Sequence, residues 1–234
     1  MVELGRLEPA VDPQQRAVLL VFVKAPRPGA VKTRLAAAVG EDAAAALYRA
    51  MAELVMEATA PAGEYQRLVC FDPPDAGDEI RAWLGDQALV PQAAGDLGQR
   101  LAAAFAEAFR RGASRVVVIG TDALDLSRDV VCRALAALDQ HDLVVGPALD
   151  GGYCLLALDR PRPELFQEMP WSTPSVLPET LARAAARGWR VHLLEARGDV
   201  DTLDDVRREW DRLRPLLVAT AHAAAFQAAL ERAR

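Results

Sequence analysis

Acidic side chains are missing from a long stretch near the start of this 234-residue chain. Between Asp12 and Glu41 there is no Asp or Glu, although the formal net charge is -6. Other scarcities run the length of the chain. The three cysteines, Cys70, Cys132 and Cys154, are scattered through apolar segments. They read as reduced core thiols, which points to a cytoplasmic protein. The three histidines, His141, His192 and His222, are equally dispersed, so neither a zinc site nor a catalytic triad is suggested. No apolar run approaches the roughly 20 residues that span a bilayer. The opening MVELGRLEPAVDPQQR is polar and acidic, unlike a secretory signal. No membrane partner is therefore expected. Nor is nucleic acid, because a phosphate-tracking protein usually shows a broad basic face. The chain has no internal repeat, no low-complexity linker and no Gly-x-Gly-x-x-Gly. Lys32-Thr33 resembles the end of a Walker loop, but Pro26 and Val31 stand where that loop needs glycine.

What is present is an alternation of short β-rich runs and helical patterns. Residues 17–23, 67–71, 115–120, 142–148, 153–158 and 189–194 read as strands. Most are apolar throughout, as expected when helices cover both sheet faces. Asp96 with Gln99 fits a capping box for a helix that Gly112 stops. Ser127 caps a helix through Leu138, and Asp42 begins a long one that ends before Pro61. The expected fold is α/β, a single domain with a mostly parallel sheet flanked by helices. Only a few residues separate DLVVGPA from YCLLAL, too few for a helical crossover, so that pair is antiparallel or one strand lies in a side hairpin. The domain is expected over 17–213, after a tail at 1–16. Residues 214–234 are expected to form a helix covering the sheet or a neighbouring subunit, which allows a homo-oligomer.

In such a sheet, ligands bind beyond the carboxyl ends of the strands. The acid-free stretch KAPRPGAVKTRLA follows the first strand there and carries Lys24, Arg27, Lys32 and Arg34. A helix starting near Lys32 or Thr33 would add free amides and a positive dipole end for phosphate. Asp122, just past the third strand, can hold Mg2+ or Mn2+ against a diphosphate. Asp125 fits a turn or cap better. Asp150 with Gly151 and Gly152 reads either as a ligand-approaching loop or as a hairpin turn. Asp199 or Asp201 can supply a second metal carboxylate, and Thr202 can cap the next helix. Gln92 can read a base edge or sit as a surface glutamine. Trp171 can stack on a sugar or base, or pack in the core.

Four stretches, FVKAPRPGAVKTRLA, DLGQRL, IGTDALDL with GPALDGGY, and DVDTLDDV, resemble one family in order and spacing over about residues 17–207. It is the family of small GT-A-fold glycosyltransferases of the radical-SAM/selenodomain-associated or arsenosugar-biosynthesis type. That family is similar to phospholactate guanylyltransferases and, more distantly, to other nucleotidyltransferases. The resemblance implies a GT-A (nucleotide-diphospho-sugar transferase) fold. It places Lys24, Lys32 and Arg34 on nucleotide phosphates, Gln92 and Gly98 near the base, and Asp122 and Asp201 on a divalent metal. Gly151, Gly152 and Tyr153 fall on the acceptor side. The sequence departs from the family at Ala123-Leu124, where Cys-Pro is usual. The implied activity is metal-dependent glycosyl transfer from a nucleotide sugar to a small-molecule acceptor. Asp150 is the candidate base because a carboxylate can accept a hydroxyl proton, a role that the resemblance does not assign. The alternatives are nucleotidyl transfer, which would release pyrophosphate, and a non-catalytic nucleotide sensor.

Overall fold

The first strand, β1 (Ala17–Lys24), is apolar almost throughout because both of its faces are covered. Leu19, Val21 and Val23 point into one core layer, and Val18 and Leu20 into the other. This is the period-2 alternation of any strand, with no polar face to reveal it. The computed structural model describes residues 16–218 and 223–232. Its sheet adds β2 (Gln66–Asp72), β3 (Leu89–Pro91), β4 (Arg115–Ile119), β5 (Leu143–Pro147), β6 (Tyr153–Leu158) and β7 (Val191–Leu193). Their spatial order is β3-β2-β1-β4-β6-β5-β7. β6 runs antiparallel to both β4 and β5, while the other pairings are parallel. Its amino end, at Tyr153, therefore lies on the edge where the parallel strands present their carboxyl ends.

On one face pack α2 (Glu41–Ala58), α3 (Gly77–Leu84) and α5 (Arg128–Ala137), through residues such as Val55, Ile80 and Val131. On the other pack α4 (Leu97–Arg110) and α6 (Val176–Ala186), through Leu101, Phe105 and Ala184. Asp96 and Gln99 form the complete capping box of α4, and the Ser127 side chain caps α5. A third core joins α1 (Thr33–Val39) and α2 to α7 (Leu203–Arg208), α8 (Trp210–Val218) and α9 (Ala223–Arg232).

Three differences from the sequence reading have plain causes. The three residues of β3 end in proline, too short a run to show a pattern. Val191–Leu193 is an edge strand, shorter than the run 189–194 suggests. Among the described residues the terminal segment carries α8 and α9. These pack on the apolar flank of α1 and α2, where Leu35, Leu47 and Met51 need cover, rather than on the sheet. The expected tail falls outside the described residues up to position 15, and so does His222. Among the described residues no helix is long and apolar enough to cross a membrane. All three cysteines are free.

Candidate functional site

Lys32 stands one residue before α1 with φ 48° and ψ 43°, a left-handed conformation rare for a side chain of this size. Holding it there costs about 1–3 kcal/mol, which the surroundings must offset. Val31 beside it is buried against Ala45 and Tyr48 and anchors the turn. The Lys32 side chain is 3% exposed. Its Nζ lies 2.5 Å from Asp122 Oδ1 and 2.6 Å from Asp201 Oδ1. Burial pulls the ammonium pKa down, but the two carboxylates outweigh it and hold it above its ordinary value. Asp201 is brought there by backbone: the Val200 N–H donates to the Asp122 carbonyl at 3.1 Å. The Asp201 N–H in turn donates to Asp205, which shares a capping box with Thr202 at the start of α7.

These three side chains lie in a cleft of about 660 Å³ at the carboxyl edge of the sheet, formed by the ends of β1, β2, β4 and β6 and the first turns of α4. Lys24, Gln92 and Tyr153 line it as well. The chain has two lysines, Lys24 and Lys32, and both are here. Sequence reasoning passed over four further lining residues: Tyr48, Asp72, Arg100 and Thr121. The buried Tyr48 hydroxyl accepts the Lys24 N–H at 2.7 Å and the Thr121 hydroxyl at 3.4 Å, tying the end of β1 to the end of β4. Burial, reinforced by Asp122, pushes its pKa up to about 12. Arg100 pairs with Asp72 at 3.1 Å. The Gln92 side chain donates to the Cys70 carbonyl at 2.9 Å and the Val23 carbonyl at 3.3 Å, which uses its amide to brace the sheet end. A usable signal existed for Asp72, which ends a strand just as Asp122 follows one.

The other expected residues lie elsewhere. Arg27 is paired with Glu79 at 2.8 Å, and Arg34 is exposed on α1; neither lines the cleft. The expected helix start is present: α1 begins at Thr33, which lines the cleft. Gly98 is buried in the first turn of α4, where a Cβ would lie 2.5 Å from the Phe166 carbonyl and 2.7 Å from Trp171 Nε1. Trp171 also meets Tyr153 edge-on at 6.3 Å. Gly98 and Trp171 thus pack together behind the cleft wall, with Trp171 against the cleft-lining Tyr153. Asp150 is exposed in the β5–β6 connection and accepts the Gly152 N–H at 2.9 Å. Gly151 there has φ 92° and lies against the Pro174 backbone, a position open only to glycine. Asp199 is raised above the usual carboxylate range by burial and then by Asp150. Asp125 is held by Arg212 at 2.5 Å.

The donor set fits a divalent ion of the Mg2+ or Mn2+ class. Asp122 and Asp201 both reach the one Lys32 ammonium and are 47% and 39% exposed. Magnesium commonly takes one or two carboxylates and completes its shell with phosphate oxygens and water. No cluster of three or more His, Cys, Asp or Glu side chains placed to hold a metal occurs among the described residues.

Comparison with known proteins agrees with this architecture. Residues 55–173 match a family described as "Uncharacterized protein conserved in bacteria (DUF2064)". None of the curated proteins matches the chain in sequence. A protein of Desulfovibrio desulfuricans G20, provisionally named nucleotide-diphospho-sugar transferase, superposes with a TM-score of 0.80 at 32% identity, covering 92% of this chain and 97% of its own. CMP:2-keto-3-deoxy-manno-octonic acid synthetase, complexed with CTP, has a TM-score of 0.53 at 15% identity, covering 84% and 99%. Rv0371c from Mycobacterium tuberculosis H37Rv, complexed with manganese, has 0.51 at 18% identity, covering 82% and 97%. The last two share the fold alone. The fold is that of the nucleotide-diphospho-sugar transferases.

Proposed function

This chain belongs to the DUF2064 family of proteins conserved in bacteria, and from that premise we propose that it is a metal-assisted transferase acting on a nucleotide-sugar donor and a small-molecule acceptor. The observation that carries the reading is the convergence of Lys32, Asp122 and Asp201 in one cleft at the carboxyl edge of the sheet. The name of the Desulfovibrio relative favours a nucleotide diphospho-sugar as donor. Nucleotidyl transfer is the second reading, favoured by the CTP complex of the synthetase that shares the fold.

Asp122 and Asp201 would hold the divalent ion, which when bound supplies Lewis-acid neutralisation of the diphosphate. The remaining work falls to the protein. Lys24 and Lys32 offer donors for charge growing on the phosphates as the bond to the leaving group breaks. Arg100 and Asp72 present a donor and an acceptor at the β2 side of the cleft, suited to the polar edge of a nucleoside. Tyr153 closes the acceptor side. Asp150 is the carboxylate assigned to accept the acceptor's hydroxyl proton, from an exposed turn on the same edge.

The test is turnover with labelled donors. Released nucleoside diphosphate identifies glycosyl transfer, and pyrophosphate identifies nucleotidyl transfer. Asp122→Asn is expected to lower kcat about a hundredfold or more, the scale set by loss of one preorganised electrostatic group. Turnover unchanged in that variant would sink the metal assignment. Nucleotide binding with no turnover of any donor would leave a sensor.

A further inference from the structure

We propose that the Lys32 ammonium is the resident counter-ion of the Asp122–Asp201 pair, that a divalent cation enters the pair only by displacing it, and that a diphosphate favours the exchange by receiving the displaced ammonium. Metal and nucleotide then bind as one coupled unit. The proposal rests on the reading above that these two carboxylates hold the ion.

The Nζ occupies the gap itself, at 2.5 and 2.6 Å from one oxygen of each carboxylate. An ion bound by the same two oxygens would lie in contact with the ammonium, and like charges at that distance oppose each other strongly. The two cations therefore exclude one another. With the side chain 3% exposed, Lys32 cannot leave for bulk water without moving through the cleft that it lines. A diphosphate in that cleft supplies the new partner a displaced ammonium needs, so the exchange never strands a buried charge.

Composition supports the assignment. Of 27 basic residues two are lysines, and one of them fills this gap. An ammonium is a compact point charge that can stand where a metal ion stands; a planar guanidinium is not. By linkage, whatever factor the nucleotide adds to metal affinity, the metal adds to nucleotide affinity.

Mn2+ binding followed by the electron paramagnetic resonance of the free ion tests this, with inorganic pyrophosphate as the diphosphate probe at matched free Mn2+. Lys32→Gln is expected to bind Mn2+ alone at least tenfold more tightly than the parent protein, with a smaller further gain from pyrophosphate. Lys32→Arg is expected to bind Mn2+ alone no more tightly than the parent. Equal Mn2+ affinity in Lys32→Gln and parent, while Asp122→Asn abolishes binding, overturns the exchange and leaves the metal site standing. Mn2+ binding unaffected by Asp122→Asn overturns the metal site and the exchange with it. A second measurement needs no variant: acetylation of the parent protein read by mass spectrometry, with exposed Lys24 as internal reference. Saturating Mn2+ alone must raise Lys32 acetylation relative to Lys24. Protection unchanged by Mn2+ overturns the proposal even if Lys32→Gln does not fold.

Discussion

Gly98 separates two meanings that a glycine can have near a binding site. Its backbone is helical, so no special dihedral requires it. What requires it is space: a Cβ would meet the Phe166 carbonyl at 2.5 Å and Trp171 Nε1 at 2.7 Å. Replacing glycine by alanine inside a helix ordinarily stabilises by about 1 kcal/mol through backbone entropy. Overpacking against rigid neighbours costs about 1–3 kcal/mol. One of these neighbours is main chain, so the cost wins. Gly98→Ala is expected to lower the unfolding free energy in urea by up to about 2 kcal/mol; a more stable variant would show that α4 can shift away from Trp171.

The first turns of α4 are the element on which the nucleoside side of the cleft depends. Asp96, Leu97, Arg100 and Leu101 all line the cleft from it. Asp96 accepts the Gln99 N–H at 2.8 Å and Gln99 returns a bond to the Asp96 N–H at 2.9 Å. Removing such a cap costs about 1 kcal/mol. Asp96→Ala is therefore expected to lower the unfolding free energy by about that much and to raise KM for the donor more than it lowers kcat. The reason is that Arg100, four residues on, loses its fixed approach to Asp72. An unchanged KM would mean that the turn is held by packing alone.

Across the whole molecule, the site depends on a core that does not touch the sheet. Phe226, fully buried in α9, packs in the same cluster as Leu35 of α1, and α1 follows directly on Lys32. Truncating a buried phenylalanine costs about 3–5 kcal/mol. Phe226→Ala is expected to lose stability on that scale in urea titration. It is also expected to weaken nucleotide binding by calorimetry below the unfolding transition. Loss of stability with unaltered affinity would separate the flank from the cleft.

The amino-acid sequence by itself determined the layered α/β plan, because local rules suffice for it. Continuous apolar runs such as AVLLVFV declare strands covered on both faces, and Asp96 and Ser127 declare helix starts through their own neighbours. It also placed Lys24, Lys32, Asp122 and Asp201 at or after strand ends, and the confinement of both lysines to one short stretch was there to be counted. Only the tertiary structure decided which of these meet. Lys32 and Asp201 are 169 positions apart, and no local pattern encodes a contact set by strand order and a backbone bond from Val200 to Asp122. The same is true of Gly98 against Trp171, and of Arg27, whose charge is matched by Glu79 instead of facing the cleft. Residue type fixes what a side chain can do, but packing across the sheet fixes what it faces.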